Sequence, residues 1–500
     1  MNTPKISTKP PSGMRDFLPA DIARRQHVID VVRRIYGRYG FVPLETPAIE
    51  NLSTLLGKYG EEGDQLLYRI LHRRDGFGRA LDEVLAQADA LKSGEGGSRG
   101  HLQGVFADEG LRYDLTVPLA RVTAQYDLPK YFKRYQIQPV WRADRPGKGR
   151  FREFYQCDVD ITGTTSVVAE AEVCGAVAEV LRELGFVDFK IRINHRQLLR
   201  AMMSHAGIDP GHEAAALVAV DKLDKIGHGG VKEELAARGI AAEAADSLML
   251  LILSGEAESL FGFAGNVAAT GPKAGISRLR KQLKDPRGLQ ALDELDQIVD
   301  LVAATPAAPH LTLSLDLARG LGYYTGAIFE IAVHDLAGSL GGGGRYDNLV
   351  GMFGKKQVPA VGFSLGLERI LVVMEERGMF PNLSVGPDVL LCWMEGLARA
   401  DVLRVAHALR RQGLKVEVFP EEAKLGKQLQ YADAPGVKAP VAAIVGVEEL
   451  AAGQVTLKHL ASGEQERVVR RGGQEGWYRG VRLVPSSPDR AIRSELSTKE

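Results

Sequence analysis

Cysteine is scarce: Cys157, Cys174 and Cys392 are three among 500 residues. Their spacing matches no metal-ligand pattern and their odd number leaves one unpaired, which argues against a structural zinc and for a reducing compartment. Net charge is missing as well, because 63 Lys and Arg balance 63 Asp and Glu. No global field therefore draws in nucleic acid, and any RNA contact must come from local patches. No apolar run reaches membrane-spanning length, and Met1-Asn-Thr-Pro-Lys5 lacks a signal-peptide core, so a cytoplasmic protein without a membrane partner is expected. Apolar residues, by contrast, make up 45% of a chain long enough for two to four domains with buried cores.

The densest chemistry lies between Tyr131 and Asp160. Both flanks of this stretch alternate apolar and polar residues, and its middle is Asp144-Arg-Pro-Gly-Lys-Gly149, so a β-hairpin with a long mobile tip is predicted. Five cations crowd it: Arg142, Arg145, Lys148, Arg150 and Arg152. Arginines at alternate strand positions share a face with Gln156, Asp158 and Asp160, a surface able to grip both a polyphosphate and an amine. A solvated edge hairpin that uses charge against aggregation is the plain alternative.

Around the hairpin the chain reads in order. Residues 1–13, rich in Pro, Lys, Ser and Thr, form a loose arm. A helix capped by Asp21 follows, with Ile22, Ile29, Val32, Ile35 and Tyr39 at helical spacing and Gly40 as its stop. Prolines confine Phe41-Val-Pro-Leu-Glu-Thr-Pro47 to an edge or interface strand. Residues from about 71 to 110 lose all pattern except one helix over 81–91, and read as a Gly-rich insertion. In Leu111-Arg-Tyr-Asp-Leu-Thr-Val-Pro118, Asp114 and Thr116 serve either as a helix cap or as acceptors for an ammonium group. A core helix over 170–185 and a strand over 187–193 lead into a helical insertion at about 196–309, with breaks at 227–230 and 262–271.

The stretch Leu313–Glu330 reads as strand, tight glycine turn and strand, with Arg319 on a strand fit for burial, where it would need an anion. Gly341-Gly-Gly-Gly-Arg-Tyr-Asp347 permits close approach of backbone to a ligand, or simply a bend. Val361–Ile370 runs a strand into a helix, with Arg369 following Gly-Leu-Glu. Beyond Pro381–Pro387, strands at 389–393, 415–419 and 441–445 alternate with helices at 399–412 and 422–431, a small α/β unit. Its Arg404, Arg410, Arg411, Lys415, Lys424 and Lys427 are either an RNA patch or ordinary solvated charge.

These segments together resemble the histidyl-tRNA synthetase family of class II aminoacyl-tRNA synthetases. The hairpin, with Arg142 and Arg150-Phe-Arg-Glu-Phe-Tyr-Gln156, is similar to motif 2, and its Gln156-Cys-Asp-Val-Asp160 ending to the histidyl enzymes. The helix feeding a proline-bearing strand resembles motif 1, through which such enzymes dimerise, and Gly362, Gly366 and Arg369 resemble motif 3. Arg319-Gly-Leu-Gly-Tyr-Tyr324 resembles a histidyl-specific signature, with Gly322 where the family commonly has Asp. Gly343-Gly-Arg-Tyr-Asp347 is similar to a family loop of the amino-acid pocket. The resemblance implies an α+β fold: a class II antiparallel-sheet catalytic domain over 1–380 with a helical insertion, a small α/β C-terminal anticodon-binding domain over 388–470, and an irregular tail over 471–500. It also implies a homodimer.

The implied chemistry has two steps: L-histidine and ATP give histidyl-adenylate, and the histidyl group then passes to the 3' end of tRNA(His). The histidine carboxylate attacks phosphorus without a covalent enzyme intermediate, so catalysis rests on positioning and charge neutralisation. The catalytic roles fall to Arg142 and Arg319, on opposite sides of the α-phosphate. Binding of ATP falls to Arg142, Arg150 and Arg369, with Mg2+ bridging phosphates. Asp114, Thr116 and Gln156 receive the α-ammonium, and Asp160 with Tyr323 or Tyr324 the imidazole. No side chain is assigned to a metal, and a pocket built on two ring-nitrogen hydrogen bonds needs no editing domain. Two rival readings are a histidyl-like regulatory subunit of ATP phosphoribosyltransferase without ligase activity and another class II synthetase.

Overall fold

A computed structural model describes residues 7–73, 75–86, 105–256, 271–318, 322–336, 338–354, 356–381 and 383–469. The chain divides into two compact units, residues 1–16 with 27–379 and residues 17–26 with 380–500. The strands of the first are β1 (Val42–Pro43), β2 (Ile49–Asn51), β3 (Arg69–Leu71), β4 (Ala107–Leu111), β5 (Phe132–Trp141), β6 (Glu153–Thr162), β7 (Lys190–His195), β8 (Leu311–Leu313), β9 (Ala327–Ala332), β10 (Ser339–Arg345) and β11 (Ala360–Gly366). Among the described residues, eight of them form a sheet in the order β1-β5-β6-β11-β10-β9-β7-β8. It is antiparallel except at its margins, where β1 joins β5 and β8 joins β7 in parallel. β1 is a margin strand, where a proline costs no ladder bond.

Helix Val168–Glu183 packs on β6 and β11 and contributes Val173, Val177, Val180 and Leu181 to the core. The other face of β5 and β6 is polar. Pairing from Phe132↔Thr162 to Trp141↔Glu153 sets Arg134, Gln136 and Gln138 directly opposite Asp160, Asp158 and Gln156. β11 continues those rows with Gly362, Ser364 and Gly366. Period-two alternation thus delivers a polar stripe across three strands.

Several expectations are corrected. The expected loose arm is tied down at its end, since Gly13 O accepts from Arg152 N–H at 2.8 Å and the Arg15 guanidinium lies 3.4 Å from the Phe151 ring centroid. Asp21 lies within helix Pro19–Arg38 and accepts from Leu18 N–H at 3.1 Å rather than standing at the cap. Residues 313–330 form no hairpin, because β7 separates β8 from β9. Side chains of β7 take the place of ladder pairing there: Asn194 Nδ2 donates to Leu315 O at 3.1 Å and Leu317 O at 3.0 Å, and Arg192 pairs with Asp316 at 2.5 Å.

The glycine run is neither loop nor bend but β10, between β9 and β11. A Cβ at Gly341 would fall 2.3 Å from Ser364 O, and one at Gly343 2.1 Å from Gly362 O, so the glycines let the strands close up. The expected break falls at Gly227, whose φ of 67 and ψ of 178 are not helical, so Leu223–Ala237 is two helical pieces that meet across a kink. Helices Arg196–His205, Glu213–Val220, Ala242–Glu256, Pro272–Gln282 and Pro286–Val302 complete the helical stretch, and most of the expected break at 262–271 lies outside the described residues. Between β3 and β4, which pair antiparallel, helix Asp75–Ala86 precedes the expected position, and 87–104 lies outside the described residues.

Arg345 ends β10 and pairs bidentately with Glu170 at 2.6 and 2.7 Å, both side chains nearly fully buried. Replacing Arg345 with Met strands that carboxylate, and stability is expected to fall by about 3–5 kcal/mol, read from the urea midpoint of unfolding.

In the second unit, β12 (Val389–Trp393), β13 (Val416–Val418), β14 (Val441–Val445), β15 (Gln454–His459) and β16 (Gln465–Val469) form a sheet in the order β13-β12-β14-β15-β16. The first three are parallel, and helices Arg399–Arg411 and Leu425–Ala432 intervene. Strands and helices stand within a few residues of the sequence expectation, which omitted the β15–β16 hairpin. Part of the basic set is engaged locally: Arg404 with Asp401, Arg410 with Val416 O, and Lys427 with Glu421 at 2.8 Å. The expected tail lies outside the described residues, and none of the described helices is long and apolar enough to cross a membrane.

Candidate active site

Eight of the ten predicted site residues line one cavity of about 270 Å3: Asp114, Thr116, Arg142, Arg150, Gln156, Tyr323, Tyr324 and Arg369. Gln156 and Ser364 of the polar stripe and Gly341 and Gly342 of β10 border the same cavity. Arg319 lies outside the described residues.

Asp114 precedes helix Thr116–Gln125, plays the cap part read from sequence and also borders the cavity. Its Oδ1 accepts from Val117 N–H at 3.0 Å, as a cap does, and from Tyr59 OH at 3.3 Å, while Oδ2 accepts from Tyr323 OH at 2.9 Å. Burial pushes this carboxyl above the usual carboxylate range, and the three donors with nearby Arg142 oppose that shift. Burial raises the Tyr323 and Tyr324 hydroxyls as well, so both stay protonated. Gln156 Nε2 donates to Ser364 Oγ at 2.7 Å, and its buried Oε1 has no partner among the described residues, an acceptor left for an incoming donor.

Arg142 continues β5, its N–H reaching Arg152 O at 2.9 Å. Its guanidinium sits 4.3 Å from the Tyr113 ring centroid and 5.1 Å from that of Phe154, and Nε donates to Tyr113 O at 3.2 Å. The cation is therefore held in an aromatic slot beside Asp114. Arg150 stands 3.4 Å from Asp144 across the tip turn. Arg369 reaches Gly149 O at 3.3 Å and Ser339 O at 2.5 Å, so it ties the hairpin tip to β10 while bordering the cavity. Gly149 has φ 66, which suits glycine at that contact. At Gly322 a Cβ would meet nothing within 4 Å, so the departure from the family's common Asp makes no steric demand on the turn.

Asp160 corrects the expectation placed on it. It does not line the cavity; it pairs with Arg134 at 2.9 Å and accepts from Tyr346 OH at 2.5 Å. Gly362 makes room for it, since a Cβ there would sit 1.9 Å from Asp160 Oδ1. Tyr59, Ser364 and Glu368 were missed as site residues. The last borders the cavity and accepts from Tyr155 N–H at 2.8 Å. Ser364 alternates with Gly362 and Gly366 on one strand face, a readable signal; Tyr59 carries none, because its contact is made by tertiary folding alone.

The family model described as histidyl-tRNA synthetase matches residues 108–370, and that described as anticodon binding domain matches 389–471. The histidine–tRNA ligase of Cytophaga hutchinsonii is 42% identical over 463 residues, covering 92% of this chain and 96% of the relative. That of Phocaeicola vulgatus is 40% identical over 470 residues, covering 93% and 98%. The crystal structure of histidyl-tRNA synthetase from Nostoc sp. PCC 7120 superposes with a TM-score of 0.71 at 30% identity, covering 93% of this chain and 97% of that one. An ATP phosphoribosyltransferase regulatory subunit/histidyl-tRNA synthetase from Bacillus halodurans, 20% identical with a TM-score of 0.65 and covering 88% and 98%, shares the fold. Cations and acceptors gathered at one cavity on an antiparallel sheet, and relatives matching nearly end to end, lead to one conclusion: this chain belongs to the histidyl-tRNA synthetase family of class II aminoacyl-tRNA synthetases.

Proposed function

We propose the following course for the histidine–tRNA ligase reaction that this chain carries out. Histidine enters with its α-ammonium toward Asp114, Thr116 and Gln156, an acceptor-rich corner for three donors. Its carboxylate meets the α-phosphorus of ATP beside Arg142, and Arg319 approaches that phosphate from the other side. As the carboxylate oxygen bonds to phosphorus, the bond to pyrophosphate breaks, and the two guanidiniums neutralise the charge that builds on the phosphoryl oxygens. Arg150 and Arg369 hold the polyphosphate and the adenine face. Tyr323 or Tyr324 serves the imidazole directly, and Asp160 stands behind them through Tyr346, whose ring meets that of Tyr323 edge-on. The observation that carries this course is the convergence of Asp114, Gln156 and Arg142 on one cavity.

When bound with ATP, Mg2+ would supply further charge neutralisation. The carboxylates of Asp144 and Glu368, which border the cavity, suit this hard cation and would hold it along with phosphate oxygens. The chain acts as a cytoplasmic homodimer, with the margin strand β1 and its exposed Val42 at the contact between copies. The second unit carries the anticodon-side contact with tRNA(His). Retention of Arg142, Arg150 and Arg369 at the cavity speaks against a silent regulatory subunit.

An ATP–pyrophosphate exchange assay with histidine, proline, threonine and glycine separates the readings. Exchange with histidine alone is expected; no exchange would indicate the silent subunit, and exchange with another amino acid would overturn the specificity.

A further inference from the structure

Below the cavity lies a polar cluster in which Asp160 has a part in the proposed course but Arg134 and Asp158 have none. Arg134 is fully buried on β5, opposite Asp160 of β6 and one row from Asp158. Its Nη2 stands 2.9 Å from Asp160 and 4.0 Å from Asp158, and donates to Leu115 O at 3.1 Å. Leu115 is the residue between Asp114 and Thr116. Ser364 hydrogen-bonds Asp158 and at the same time accepts from Gln156 Nε2 at 2.7 Å. On the other side Asp160 accepts from Tyr346, whose ring meets that of Tyr323 edge-on at 6.0 Å between centroids. All three ammonium acceptors are therefore linked to Arg134 through short chains of contacts.

Charge makes the cluster more than packing. Two carboxylates face one guanidinium, all at most 2% exposed, so full ionisation would leave a net negative charge out of water. Asp114, Tyr36, Cys157, Tyr324 and Tyr346 also lie near the two aspartates, and Arg112 is a further cation that acts on Asp158 while its guanidinium donates to Pro139 O, Thr46 O and Gln138 Oε1. Arg134 Nε and Nη1, Gln136 Oε1 and Asp158 Oδ1 have no hydrogen-bond partner among the described residues, so the cluster is held by charge more than by saturated bonding.

We propose that Arg134 is a positioning residue for the amino-acid site: as the guanidinium that faces both Asp158 and Asp160, it sets Gln156 through Ser364, and Asp114 and Thr116 through the Leu115 carbonyl. The assignment rests on the reading of the cavity as a histidine site. Burial pushes the Asp158 carboxyl up to about 7, and Arg134 pulls it down. As pH falls through that value Asp158 gains a proton, loses its charge and holds the Ser364 hydroxyl more weakly, so the histidine KM rises on the acid side. Without the guanidinium the rise begins at higher pH.

Arg134→Met, Arg134→Met/Asp158→Asn and Ser364→Ala are compared with the parent in histidine-dependent ATP–pyrophosphate exchange across the neutral pH range. Arg134→Met is expected to raise the histidine KM about tenfold or more, to leave the ATP KM within about twofold, and to move the break in the histidine KM profile to higher pH. Titration of free histidine is common to all the variants and cancels in the comparison. The double variant restores charge balance, so it recovers most of the loss and shows no break from Asp158. Ser364→Ala raises the histidine KM alone.

An equal rise in both KM values, a break that stays in place, or a double variant no better than the single one overturns the assignment. If Arg134→Met does not fold, the double variant decides: a break persisting without Asp158 refutes the idea. A parent without histidine-dependent exchange is a different failure, in which the histidine reading of the cavity falls and this assignment with it.

Discussion

Replacing Arg142 with Ala is expected to slow histidine-dependent ATP–pyrophosphate exchange about a thousandfold while the histidine KM moves less than about threefold. The reaction has no protein nucleophile, so the barrier must be lowered by donors aimed where charge develops. Loss of one such donor typically costs about 3–4 kcal/mol at the transition state. Arg142 is placed to act this way because Tyr113 and Phe154 flank its guanidinium and hold it near Asp114. In the proposed course, binding of histidine leans on Asp114, Thr116 and Gln156, which the substitution leaves in place. An equal loss in kcat and in histidine affinity would show Arg142 to be a ground-state ligand instead.

Asp114→Asn is expected to give the opposite pattern, a histidine KM raised about a hundredfold with a smaller change in kcat. The amide keeps one acceptor oxygen for Val117 N–H or Tyr323 OH but removes the anion facing the ammonium. Stability should move the other way. Burial holds the Asp114 carboxyl above its ordinary range, so the folded state binds a proton more tightly than the unfolded one. The ionised carboxylate therefore costs stability as pH rises from the ordinary carboxylate range to the raised value, and the full cost remains above it. At neutral pH the neutral amide is expected to raise the thermal midpoint while activity falls, a common conflict between site and fold. A lowered midpoint would mean that hydrogen bonding outweighs the burial of charge at this position.

The candidate site was largely legible because its parts sit on strands with clear period-two patterns. Gln156, Asp158 and Asp160 share one face in the structure as alternation requires, and the hairpin register places them opposite Gln138, Gln136 and Arg134. What alternation does not give is depth. Asp160 occupies a readable row but lies beneath Tyr346, because Gly362 opens a space that only three-dimensional packing discloses. The glycine run was half legible: Gly341 and Gly342 border the cavity, but the run makes no bend, and in β10 it lets neighbouring strands approach. The hairpin expected over 313–330 failed because β7, more than a hundred residues earlier, inserts between its halves, and Asn194 and Arg192 take the groups that strand pairing would use. Local sequence holds no trace of that partner. The C-terminal unit was the most readable, since short apolar strands alternating with amphipathic helices leave few other arrangements.

A crystal structure with a non-hydrolysable histidyl-adenylate analogue tests the central claim most directly. The ammonium is predicted within hydrogen-bond distance of Asp114, Thr116 and Gln156, with the group replacing the phosphate between Arg142 and Arg319. An analogue bound with that group away from Arg142, or with its ammonium away from Asp114, would contradict the account.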